Sequence, residues 1–102
     1  MTNLELIAAE LAAAKKKHPK FCDCLVDPLN ALDWAESEAA IKRCNEHGPV
    51  SADNILMEEV AEAFAAIERG ELAHARQELA QCAAVCVRAM EHVKKEMEKT
   101  KC

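Results

Sequence analysis

Between residues 51 and 99 one residue, Gly70, breaks an otherwise continuous helical pattern, and that break constrains the fold more than any other feature of the chain. Ser51 reads as the N-cap of a helix over 52–69, Gly70 ends it, and a longer helix follows over 71–99. With so short a connection the two helices must turn back as a tight antiparallel pair. Leu56, Val60, Ala63, Phe64 and Ile67 give the first a core-facing stripe. Leu72, Leu79, Ala83, Cys86, Met90, Val93 and Met97 give the second one that nearly spans it.

Two further helices precede this pair. Thr2 and Glu5 have the spacing of a capping box, Leu4, Ile7, Leu11 and Ala14 form a stripe, and His18-Pro19 stops a helix over 3–17. Residues 20–26 show no period and read as a loop. Asp27-Pro28 is the next start signal, with Asp27 as N-cap and the helix settled by Asn30. Its stripe is Leu29, Leu32, Trp34 or Ala35, Ala39 or Ala40, and Cys44, closed by Gly48-Pro49. The expectation is a single all-α domain over residues 1–102, a compact four-helix bundle.

The two glycines, three prolines and three aromatics, Phe21, Trp34 and Phe64, fit helices that need no bulky sheet core. Small side chains let helices approach closely but bury little area each. A homodimer or higher homo-oligomer is therefore expected, with helix two or helix four against its mate.

The net charge of −5 and the lack of any basic stretch with stacking aromatics argue against a nucleic-acid polymer as partner, though not against a free nucleotide. Lys15-Lys16-Lys17 and Lys94-Lys95 lie toward helix C-termini, where the helix dipole explains them. Residues 1–14 carry acids where a secretory leader has a basic region, and no apolar run is long enough for a membrane span. Six cysteines then read as free thiols of a cytoplasmic protein. Cys82 and Cys86 are expected in the core and Cys102 at a frayed end. Cys22-x-Cys24 with Cys44-x-x-His47 offers an alternative zinc clip, although the one-residue cysteine gap is short for one. His74 and His92 have no nucleophile signature around them and read as polar-face residues. Two glycines, both at helix ends, leave no phosphate-binding loop.

The chemistry lies in the acids. Glu58, Glu59 and Glu62 fall at i,i+3 and i,i+4 spacings on helix three, and Glu78 with Gln81 repeats the spacing on helix four. On a helical wheel Glu59 lies about 90° from the centre of its stripe and Glu62 farther round, so both sit on the shoulder of the helix, with Glu58 more exposed. Like charges so close repel unless a cation lies between them. Two readings follow: a solvated acidic face, or an oxygen-rich site for magnesium, with manganese as substitute, that binds a phosphorylated substrate.

The combination of Glu59-x-x-Glu62 and Glu78-x-x-Gln81, with Ile55-Leu56 before the first pair and Ala83-Ala84-Val85 after the second, resembles the core of the MazG-like branch of the all-alpha nucleoside triphosphate pyrophosphohydrolases. The specific resemblance spans residues 54–88. It implies that Glu59, Glu62 and Glu78 ligate magnesium, that Glu58 positions water, and that a nucleoside triphosphate or modified nucleotide is split into monophosphate and pyrophosphate. Gln81 stands where the family motif has aspartate; it can ligate through its carbonyl oxygen but brings no charge. Such a substrate also needs cationic and stacking contacts, for which Lys42, Arg43, Arg76, Arg88 and Trp34 are the candidates. The alternative from another class is a catalytically silent helical oligomer that binds a nucleotide or a protein.

Overall fold

A computed structural model, which describes residues 1–29 and 33–100, is all-α. Its helices are α1 (Asn3–Lys17), α2 (Trp34–His47), α3 (Ala52–Glu68) and α4 (Leu72–Lys99), with no strand among the described residues. The expected class and order of four helices hold. Asn30, Leu32 and Cys102, which entered the sequence expectations, lie outside the described residues. The chain divides into two packed units: Val26–Cys86, and Met1–Leu25 with Val87–Cys102.

In the second of these units, α1 begins with the expected capping box. The Glu5 backbone N–H donates to Thr2 Oγ1 at 3.1 Å, and the Thr2 N–H donates to Glu5 Oε1 at 2.8 Å. These reciprocal bonds satisfy two donors that a helix start leaves free, and Lys15, Lys16 and Lys17 occupy the last turn, where cations suit the dipole. The stripe of α1 behaves differently from its periodicity. Leu4, Ile7 and Leu11 are exposed, and no residue of this helix is buried. Leu6, Ala89, Met90, Val93 and Met97 instead line an apolar groove of this unit.

The larger unit holds α2, α3 and the start of α4. Helix α2 starts at Trp34, later than the Asp27-Pro28 signal. Asp27 Oδ1 accepts from the Leu29 N–H at 2.9 Å, two residues on, which makes a local turn rather than a helix start. Asp33 is the true N-cap and accepts from the Glu36 N–H at 3.1 Å. Of the expected stripe, Trp34 and Ala40 turn inward, joined by Glu38, Ile41 and Asn45, while Leu29, Ala35, Ala39 and Cys44 are exposed. Polar residues on that inner face disguised its period. Asn45 is one of them, and its Nδ2 donates to Glu58 Oε1 at 3.2 Å and to the Asn54 carbonyl at 3.4 Å, tying α2 to the start of α3.

Helix α3 starts after Ser51 as expected, although the Ser51 side chain makes no cap bond. Its end is closed by Gly70 at φ +77°, a left-handed conformation that a β-carbon disfavours. The Gly70 N–H donates to the Ile67 carbonyl and the Glu71 N–H to the Ala66 carbonyl, the paired bonds of a Schellman end. The chain reverses there, and α4 begins at Leu72.

Packing in this unit selects the small residues. Ala61, Ala63, Ala65 and Ala66 of α3 and Ala75 of α4 are the buried apolar residues among those described, and Leu56, Val60, Phe64 and Ile67 are half-buried. On α4 the expected stripe is displaced. Leu72, Leu79, Ala83, Cys86, Val93 and Met97 are exposed, Met90 is half-buried, and the inward positions are Ala75 and Glu78. Close approach favours alanine over leucine at such a contact, so the residues with the strongest apolar signal are left outside it. The same rotation exposes Cys86 and leaves Cys82 half-buried. No helix among the described residues is long and apolar enough to cross a membrane.

Candidate functional site

The Gly70 reversal sets Glu78 of α4 beside Glu59 and Glu62 of α3. One carboxylate oxygen from each lies within 4.8 Å of the other two, and this is the one group of three such side chains among the described residues close enough to share a cation. Glu78 is only 7% exposed. It is the sole buried charged residue described, and a carboxylate in that position requires compensation.

Compensation from the protein is partial. Lys42 Nζ lies 2.9 Å from Glu38 and 3.4 Å from Glu62, reaching the cluster from α2. His74 Nε2 is 3.4 Å from Glu78, one turn away on α4. The Gln81 amide, oriented with its nitrogen toward the acids, donates to Glu59 Oε2 at 2.9 Å and to Glu78 Oε2 at 3.2 Å. That orientation is the one that avoids setting an amide oxygen against carboxylate oxygens. Gln81 therefore braces two of the acids while adding no charge.

The electrostatic result is visible in proton affinity. Burial raises the Glu59 pKa, and the neighbouring Glu62 charge raises it further. Burial also raises the Glu62 pKa, followed by a hydrogen bond with Glu78, and Lys42 offsets only part of this. The Cys82 thiol nearby is pushed up by burial and then by the Glu59 charge, so it stays protonated and offers no thiolate. The donors are then carboxylate oxygens alone, hard ligands that suit magnesium or manganese.

The other expected site residues separate into those that reach the cluster and those that do not. Lys42 reaches it. Glu58 accepts from Asn45, outside the three-carboxylate group. Trp34 stacks on Phe64 with ring centroids 5.1 Å apart. Arg43, Arg76 and Arg88 are exposed, and none forms an ion pair among those described. Cys22, Cys24 and Cys44 are exposed free thiols. The sequence reading missed Glu38, although its i,i+4 position before Lys42 was a usable signal, and it missed Asn45 and the stacking of Phe64 on Trp34, which act across elements with no local pattern. No protein-family model, curated protein or solved structure matches this chain, so the reading of the site rests on its own residues and their geometry.

Proposed function

We propose that this protein is a magnesium-dependent, cytoplasmic nucleoside triphosphate pyrophosphohydrolase that releases a nucleoside monophosphate and pyrophosphate. The observation that carries the reading is the convergence of Glu59, Glu62 and Glu78 from two helices, with one carboxylate buried and too little protein charge to balance the three. Glu59, Glu62 and Glu78 would hold magnesium, with manganese as substitute and the Gln81 carbonyl as an auxiliary ligand after amide rotation. Bound there, the ion offsets phosphate charge and lowers the pKa of a water.

The side chains divide the remaining work. Gln81 Nε2 fixes the planes of the Glu59 and Glu78 carboxylates, so these acids are held in place before substrate arrives. Lys42 Nζ, already poised between Glu38 and Glu62, is the cation nearest the cluster and is placed to meet a phosphate oxygen. Burial raises the proton affinity of Glu59 and Glu62, and a cation bound between them would offset that cost. Glu58, steadied by Asn45, serves as a water-orienting base at the edge of the site, and Trp34, Arg76 and Arg88 are the remaining candidates for substrate contact.

A second reading, a catalytically silent helical oligomer that binds a nucleotide or a protein, is favoured by one observation: Gln81 already bonds two of the carboxylates where a fourth acid would add ligand charge. Pyrophosphate release across a panel of ordinary and modified ribo- and deoxyribonucleoside triphosphates, with magnesium or manganese, separates the two. Metal-dependent release lost in Glu59→Ala supports hydrolysis. No release from folded protein supports the silent module.

A further inference from the structure

Met1–Leu25 and Val87–Cys102, which pack as one unit, are the basic part of an acidic chain. They carry nine lysines and arginines against six aspartates and glutamates, a net of +3, whereas Val26–Cys86 carries four against twelve, a net of −8. The basic unit has no buried residue among those described, so its apolar side chains form no closed core of their own.

Within this unit α1 has two apolar sides. Leu6 lines the groove shared with Ala89, Met90, Val93 and Met97. Leu4, Ile7 and Leu11 form a separate stripe about 130° round the helix from Leu6. They are 69%, 37% and 53% exposed. Glu5 and Glu10 lie about 90° or more from the centre of that stripe, so no acid interrupts it. The helix ends in Lys15, Lys16 and Lys17, none of which forms an ion pair among those described. Phe21 in the segment that follows is 91% exposed. The helix dipole accommodates the three lysines but gives no reason for an uncovered stripe beside them.

An uncharged apolar stripe, a run of free cations at its end and an exposed aromatic are the parts of a helix that lies in the plane of a membrane interface. A second copy would bring the same lysines and the same net charge of +3 against the stripe. A nucleic-acid polymer would meet the charge and leave the leucines in water. An anionic phospholipid surface answers both, and its fluid acyl layer needs no cavity shaped to side chains that stand out from a convex helix.

We propose that α1 is a peripheral docking face for an anionic phospholipid bilayer. Leu4, Ile7, Leu11 and Phe21 enter the boundary between headgroups and acyl chains, and Lys15, Lys16 and Lys17 sit at the depth of the phosphates. The helix lies on the bilayer and does not cross it, which fits the lack of any described helix long and apolar enough to span one. This stands apart from the metal reading and is tested without turnover.

The test is co-sedimentation of the full chain with vesicles. Binding to phosphatidylcholine vesicles that contain phosphatidylserine is expected to exceed binding to phosphatidylcholine alone by more than about tenfold at low salt, and to weaken as salt screens the lysines. Lys15→Gln, Lys16→Gln and Lys17→Gln combined should weaken it by roughly a hundredfold, at about fivefold for each charge. Leu11→Glu should weaken it by more than about tenfold, with helical circular dichroism unchanged because Leu11 lies outside any core. Equal binding to the two kinds of vesicle overturns the proposal, and so does no binding to either, which would leave the stripe to a protein partner. A folded Leu11→Glu variant that binds as tightly as wild type also overturns it. If Leu11→Glu loses its helical signal, the glutamine variant decides alone, and undiminished binding by that variant overturns the proposal.

Discussion

The two flanks of α3 invert the usual rule for a globular protein. On one, the chain gathers carboxylates against its own α4 and buries Glu78; on the other, Leu56, Met57 and Val60 of α3 border an open apolar cavity. Charge has been covered and hydrocarbon has not. Each flank is energetically incomplete in a complementary sense, since the first lacks positive charge and the second lacks an apolar cover. The lesson is that a helix can carry two different needs at once when alanines, here Ala61, Ala63, Ala65 and Ala66, make its intimate contacts.

The flanks can be broken separately. Glu59→Ala is expected to lower pyrophosphate release by about a hundredfold to a thousandfold, in the range seen when electrostatic groups at a reacting centre are removed. It should leave the helical circular dichroism unchanged, and Met57→Glu on the apolar flank should leave pyrophosphate release per folded chain unchanged. A folded Met57→Glu variant that lost release would mean that the two flanks form one site. Lys42→Met should raise KM for the triphosphate by about tenfold with a smaller effect on kcat, as expected for loss of a charge-assisted phosphate contact.

Gly70 sharpens the comparison because it sets the register that brings α4 to one flank of α3. Its φ of +77° places an added β-carbon in the left-handed region, although no neighbour lies close enough to clash. Gly70→Ala should therefore cost about 1–2 kcal/mol from backbone conformation alone. Denaturant titration measures this, and an unchanged midpoint would mean that the turn tolerates another geometry.

Proton linkage gives the smallest expected effect and touches only the acidic flank. Glu59 and Glu62 bind protons more tightly folded than unfolded, so metal-free stability should rise as pH falls from neutral through their raised pKa values. The Glu5 and Asp53 pKa values are lowered, so their contributions are lost only at more acidic pH, as pH falls through those lowered values. Thermal melts taken as pH falls from neutral should show the rise without metal, and magnesium should flatten it by competing with protons for the same oxygens.

The legible parts of this fold are those written in local chemistry. Thr2 and Glu5 specify the start of α1, and Gly70 specifies the reversal, because a capping box and a left-handed glycine act over a few residues. The start of α2 was not legible, because Asp27-Pro28 and Asp33 both carry cap chemistry and only the folded chain shows Asp27 bonded to Leu29. The face of α4 was misleading for a different reason: Leu72 and Leu79 dominate its period, yet the contact is made by Ala75 and Glu78. The spacing of Glu59, Glu62 and Glu78 marked them as a candidate group, and only the rotation of α4 reveals that Glu78 is its buried member.

Magnesium titration of the folded protein by calorimetry, comparing wild type with Glu59→Ala, tests the metal site without requiring a substrate. The account predicts one saturable site per chain in the wild type, weakened by more than about tenfold when one of the three ligand carboxylates is removed. Folded wild type that takes up no magnesium, or a Glu59→Ala variant that binds it equally well, would contradict the claim that the acidic flank of α3 is built around a cation.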